Sequence, residues 1–128
     1  MRSVGDIAVR EDIEKVLAAF YGRAIEDPLI GRFFTEVVPL HLPTHLPLIT
    51  DFWVSVLFQS RGYGKNVMQI HQNISSLSPI VKEHLDRWVQ LFTQTIDSLF
   101  TGEKANLMKQ RGASIATMMD IKLNHSQV

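Results

Sequence analysis

The stretch THLPLITDFWVSVLFQSRGYGKNVMQIHQNI, residues 44–74, decides how this chain folds. His45, Leu48, Ile49, Phe52, Trp53, Val56 and Leu57 recur at i, i+3, i+4, i+7 and i+8 spacing, which puts them on one face of a helix. Gly62-Tyr63-Gly64 interrupts the pattern, and Val67, Ile70, His71 and Ile74 make a second, shorter face. Each face carries a histidine among apolar residues. A buried imidazole takes either a hydrogen-bond partner or something to bind, because an unpaired buried polar group is costly. A single such histidine is most often a core residue. Two on consecutive segments raise the question of a bound group without deciding it.

Working outward, Asp6 is placed to cap a first helix whose inner face is Ile13, Val16, Leu17, Phe20, Tyr21 and Ala24. Tyr21 falls at the edge of that face. It either packs its ring and shows its hydroxyl to water, or points the hydroxyl into a pocket. Asp27-Pro28 ends the helix and begins another turn, apolar at Leu29, Ile30, Phe33 and Phe34. Pro39, Pro43 and Pro47 predict an irregular corner over 38–47. Thr44 then caps the next helix, with Pro47 in its first turn, where a missing N–H costs little. His45 sits at that helix start, and the helix runs to about Ser60. Downstream, Ser78-Pro79 reads as another start. Val81, Leu85, Trp88, Phe92, Thr95, Ile96 and Leu99 share the face that follows. Trp88 there is either core filler or an N–H donor seeking a partner. Gly102 is the expected C-cap. A last helix from Glu103 to about Leu123 turns Met108, Ile115 and Met119 inward, and the tail from Asn124 is polar. Strand alternation is absent. The expectation is an all-α protein, one domain over residues 1–128.

Composition narrows the function. With 13 Lys plus Arg against 13 Asp plus Glu, no basic excess exists to neutralise phosphates, which argues against nucleic acid. Without cysteine there is no disulfide framework, thiolate metal site or thiol nucleophile. The N-terminal residues carry charges throughout and do not read as a signal peptide. No stretch approaches the ~18 apolar residues of a membrane span. These features suit a cytoplasmic protein. No dense metal-ligand spacing, phosphate loop or nucleophile motif occurs. Lys82, Glu83, Asp86 and Arg87 read as a solvated surface. What remains for chemistry is an inward-facing set without acid–base carboxylates: His71, His45, Tyr21, Trp88 and several phenylalanines. Such a set suits a haem, whose iron takes a neutral imidazole, with tyrosine O–H and tryptophan N–H as donors to a bound diatomic ligand, but many helical domains without a cofactor carry similar aromatics, and spacing alone favours that plainer reading.

Five short motifs in order carry a resemblance: Phe20-Tyr21, His45-Leu46-Pro47, Asp51-Phe52-Trp53, Gln69-Ile70-His71, and Arg87-Trp88-Val89-Gln90-Leu91-Phe92. Together with the eighteen-residue step from Trp53 to His71, they make the chain resemble the truncated haemoglobins, specifically the third group, from about Ile13 to Ile121. The resemblance implies a two-over-two globin fold around one haem b. It matches His71 to the proximal iron ligand and Tyr21, Trp88 and His45 to the distal positions. Phe34, Ile49, Phe52, Trp53 and Phe92 would line the slot. The Gly-Gly motifs of the first group are absent, as the third group requires. Leu48 departs from the pattern, since the family often has a basic residue there, near the haem propionates. Arg32, Lys65 and Arg111 are the other cations considered for that role.

The implied function is binding of O2, with NO and CO as competing ligands. Polar distal donors slow ligand release, which suits NO or reactive-oxygen chemistry better than transport. An enzymatic version, NO dioxygenase- or peroxidase-like, would need an external reductase. His45 would gate entry or ligate the iron. The alternative class is a cofactor-free helical interaction or regulatory domain, in which both histidines and both tryptophans only fill the core.

Overall fold

The structure, a computed structural model, describes residues 5–37, 42–58 and 80–124. The Gly62-Tyr63-Gly64 joint, the His71 face, Lys65, the Ser78-Pro79 pair and the tail beyond Asn124 lie outside the described residues. Helix α1 spans Arg10–Glu26, a π-helical turn Phe33–Val37, α2 Leu42–Phe58, α3 Lys82–Leu99 and α4 Glu103–Asn124. No strand occurs among the described residues. Helix α1 packs on α2 and on α3, α3 lies along α4, and α2 also touches α4. The result is one helix pair set over another.

The periodic faces are the buried ones. Ile13, Val16, Leu17, Phe20 and Ala24 of α1 meet Trp53 and Leu57 of α2, Leu91, Phe92 and Ile96 of α3, and Ala105 and Met108 of α4. Each large apolar side chain fully buried this way contributes about 1.5–3 kcal/mol. A smaller cluster of Ile80, Leu85, Ala116 and Met119 closes one end of the α3–α4 pair. Two residues of the expected faces depart from them. Leu48, in the second turn of α2, and Val81, the residue before α3, are exposed.

The helix ends are where the structure differs from the local reading. Asp6 does not cap α1. That helix starts at Arg10 after Val9. Its cap is Asp12, whose Oδ2 accepts the N–H groups of Ala8 at 2.8 Å and Val9 at 3.1 Å. Asp6 instead caps α4, the other end of the chain. Its carboxylate accepts the N–H groups of Lys104 and Ala105, and of Ile7 beside it, each at 2.8 Å. Gly102 is accordingly no C-cap, since α3 already ends at Leu99 with Phe100 as its cap. With φ of +139° it lies just before α4, and a Cβ there would stand 2.5 Å from Asp6 Cγ. Partial burial raises the Asp6 pKa, but the three N–H donors and the Lys104 ammonium outweigh it and hold the carboxyl below its ordinary 3.8. Lys104 Nζ in turn donates to the Leu57 carbonyl at 2.8 Å, a cation at the carbonyl end of α2, where it complements the helix dipole.

Asp27 ends α1 as expected, and its carboxylate then holds the corner. Oδ2 accepts the N–H groups of Leu29 at 3.0 Å and Ile30 at 3.1 Å. Oδ1 takes Nε of Arg87 at 2.8 Å and Nη2 at 2.7 Å. Arg87 is therefore not a plain solvated charge: its partner's side chain is only 2 % exposed, and a carboxylate so buried needs that pairing. Burial raises the Asp27 pKa, yet Arg87 and the two N–H groups together keep it below the usual value. Gly31 closes the turn, with no room for a Cβ against the carbonyl oxygens of Ile25 and Asp27.

Helix α2 begins at Leu42, earlier than the Thr44 cap predicted, so Pro47 lies inside the helix and His45 in its first turn. Helix α3 begins at Lys82, later than Pro79. Its N-cap, Val81, has no side-chain acceptor. His84 supplies one, Nδ1 accepting the Val81 N–H at 3.1 Å, and its ring meets Phe33 edge-on at 4.9 Å. Burial, then the Arg32 charge, lower the His84 pKa from its ordinary 6.5 despite the opposing pull of Glu83.

Two outcomes follow from these caps. Asp6→Ala should cost about 1 kcal/mol in denaturant unfolding at neutral pH, although Asp6 lies outside the helix that it caps. Below pH 3.8, where the carboxylate titrates, the difference from the parent should shrink. For His84 the folded state prefers the neutral ring, so the unfolded chain binds more protons below pH 6.5 and stability falls as pH drops through that value. His84→Gln keeps an acceptor at this capping position but does not titrate, so its thermal midpoint should fall less than the parent's between about pH 7.5 and about pH 5.5.

Candidate functional site

The residues expected to line a site converge as one network of rings. Trp88 and Phe92, one turn apart on α3, stack with centroids 4.8 Å apart and planes at 13°. Trp53 of α2 stacks on Phe92 at 5.4 Å and 29°, and Phe52 meets Trp53 edge-on at 5.4 Å. From α1, Phe20 stands edge-on to Phe92 at 5.4 Å and to Trp88 at 5.6 Å. Tyr21 is edge-on to Phe20 at 5.2 Å and to Phe34 at 5.6 Å. Six of the nine predicted site residues, Tyr21, Phe34, Phe52, Trp53, Trp88 and Phe92, thus lie within one ring-to-ring chain. Such edge and offset contacts are each worth about 0.5–1.5 kcal/mol beyond area burial.

Phe20, which joins α1 to the α3 rings, was legible only as a core residue, and it is nearly fully buried. Ile49 packs half-buried against the same cluster. The His45 side chain and all of His71 lie outside the described residues.

The Tyr21 hydroxyl is buried strongly enough to push its pKa far above that of an ordinary phenol. The group therefore keeps its proton at neutral pH and remains a hydrogen-bond donor. Trp88 is half-buried, and its indole N–H is a donor only. Of the predicted distal donors, Trp88 thus sits at the α1–α3 contact, against Phe20, and Tyr21 between α1 and the Phe33–Val37 turn, against Phe20 and Phe34.

A cavity of about 370 Å³ opens between α2 and α4, lined by Phe52, Ser55 and Val56 on one side and Arg111 and Ile115 on the other. Phe52 belongs both to this cavity and to the ring network. Of the cations considered beside Leu48, Arg111 lines the cavity. Arg32 instead stacks over the Phe33 ring at 4.6 Å. Among the described residues no group of His, Asp and Glu side chains is arranged to hold a metal ion, and no helix is long and apolar enough to cross a membrane.

No family model matches the chain. A curated relative, the group 3 truncated hemoglobin ctb of Campylobacter jejuni, is 24% identical over 111 residues, covering 84% of this chain and 85% of the relative. The crystal structure of a group III truncated hemoglobin from Campylobacter jejuni superposes with a TM-score of 0.83 at 22% identity, over 98% of this chain and 99% of that one. The likeness to that relative in sequence and to that structure in fold bears out the resemblance read from the five motifs: the chain is similar to the group III truncated haemoglobins and has their all-α truncated globin fold.

Proposed function

We propose that this chain, as a single domain, binds one haem b and presents it to O2, with NO and CO as competing ligands. The observation that carries the reading is the placement of two hydrogen-bond donors, the buried Tyr21 hydroxyl and the Trp88 indole, within an aromatic network whose member Phe52 also lines a cavity with a cation beside it. The residues fit such a group. Haem is flat and apolar over most of its area and carries two carboxylates. The cavity offers Phe52, Val56 and Ile115 as apolar wall and Arg111 as a counter-charge.

In this reading His71 would hold the iron through its imidazole, and Phe34, Ile49, Phe52, Trp53 and Phe92 would exclude water from the slot. Haem iron supplies the binding position for a diatomic gas. Tyr21 would donate a hydrogen bond from its hydroxyl to the gas, and Trp88 one from its indole N–H. His45, in the first turn of α2, would gate entry or ligate the iron itself. Donors of this kind hold a polarised ligand and slow its release, which favours NO or reactive-oxygen chemistry over transport. Turnover in that chemistry would draw electrons from an external reductase in the cytoplasm.

One observation favours the cofactor-free reading. Trp88, Phe92 and Trp53 stack on one another as a well-filled core does, and among the described residues no buried side-chain polar atom lacks a partner. Adding haemin separates the two. The absorption spectrum should gain an intense Soret band at one haem per chain, and His71→Ala should lose it. Tyr21→Phe with Trp88→Phe should speed O2 release on the order of tenfold or more, the size of one or two lost hydrogen bonds. A protein that stays colourless with haemin is the cofactor-free domain.

A further inference from the structure

Gly112 sits in the middle of α4, where glycine weakens a helix and where no turn or positive φ calls for it. A Cβ built on it would stand 2.8 Å from both Cδ2 and Cε2 of Phe92 and 3.6 Å from Cζ3 of Trp88. The Phe92 ring therefore lies directly on the bare backbone of α4. It has little freedom to retreat, because Trp53 and Trp88 stack on it and Phe20 meets it edge-on. Gly22, on exposed α1 surface, is different: a Cβ there meets nothing within 4 Å.

We infer that Gly112 is a positioning residue for Trp88: by seating Phe92 against α4, it sets the tilt of the indole stacked on that ring and so the aim of the indole N–H. Cζ3 lies on the benzo side of the indole, across the ring system from Nε1. The overlap of a Cβ falls on Phe92 alone, since 3.6 Å to Cζ3 is ordinary contact; a Phe92 ring displaced by it carries the stacked indole with it and turns the N–H. The consequence for gas binding rests on the role proposed above for Trp88. The orientation itself rests only on the packing.

The test is a cycle of Gly112→Ala and Trp88→Phe, with Gly22→Ala as control. In the protein without haemin, Gly112→Ala should change the near-ultraviolet circular dichroism of the stacked rings. Gly22→Ala should not, and in the Trp88→Phe background the change should largely vanish. With haemin bound and reduced, Gly112→Ala should speed O2 release about tenfold, the size of one misdirected hydrogen bond, and should have no such effect once Trp88 is phenylalanine. Changes of equal size in both backgrounds, or no change in either, overturn the inference. A chain that takes up no haemin sinks the haem reading alone, since the dichroism cycle still decides whether Gly112 orients Trp88. If Gly112→Ala does not fold, Phe92→Leu is added to remove the colliding ring. Recovery of folding supports the seat, and continued failure overturns it.

Discussion

The ring of Phe92 meets Phe20 of α1 and Trp53 of α2, stacks on Trp88 of its own helix, and lies on α4 at Gly112. All four helices are therefore registered against one side chain that is almost wholly buried. Close packing of this kind tolerates little displacement, because a gap forfeits dispersion contacts and an overlap forces neighbours off their rotamers. The same ring supports Trp88, and Phe20 beside it supports both Trp88 and Tyr21. What stabilises the two helix pairs against each other also packs the rings that carry these polar groups.

Around that apolar centre, charge works mainly at helix ends. Asp6 and Asp27 each accept backbone N–H groups that a helix start or turn leaves open, those of the distant Lys104 and Ala105 for Asp6 and of the nearby Leu29 and Ile30 for Asp27, whose other oxygen takes the distant Arg87. Lys104 couples the two ends of such a chain of contacts, its backbone held by Asp6 and its ammonium on the last turn of α2. These few interactions tie the chain's start to its last helix and to the end of the helix that carries His45. By comparison the exposed pairs, such as Lys82–Asp86, contribute little, since solvent screens them and ordering both side chains costs entropy.

The separation of roles suits a gas-binding reading. Burial raises the pKa of the tyrosine hydroxyl, the indole N–H cannot ionise, and no carboxylate is among the ring contacts of the described residues. Tyr21 and Trp88 can each donate a hydrogen bond, which is what holding a polarised diatomic molecule requires.

Helix identity, the apolar faces and the candidate residues were legible in the sequence because they depend on spacing within a few turns. Ile13 to Ala24 and Leu85 to Leu99 are periodic, and most of each face is buried. Five motifs in order were enough to point to the truncated globin fold. Helix boundaries were less legible, as Leu42 and Lys82 show. A start needs an acceptor for its first N–H groups, and here His84 reaches back to provide one where the local sequence suggested Ser78. Least legible were pairings between residues far apart in the chain. Nothing near Asp6 says that its carboxylate belongs to Lys104 and Ala105, nor anything near Asp27 that Arg87 is its partner. A glycine inside a helix is a visible oddity, yet only Phe92 arriving from α3 explains Gly112. Local periodicity thus determined which surfaces are apolar and which side chains are candidates. The tertiary structure alone decided which surfaces meet and which charges pair, because those contacts close loops of tens of residues and are selected by the packing of the whole core.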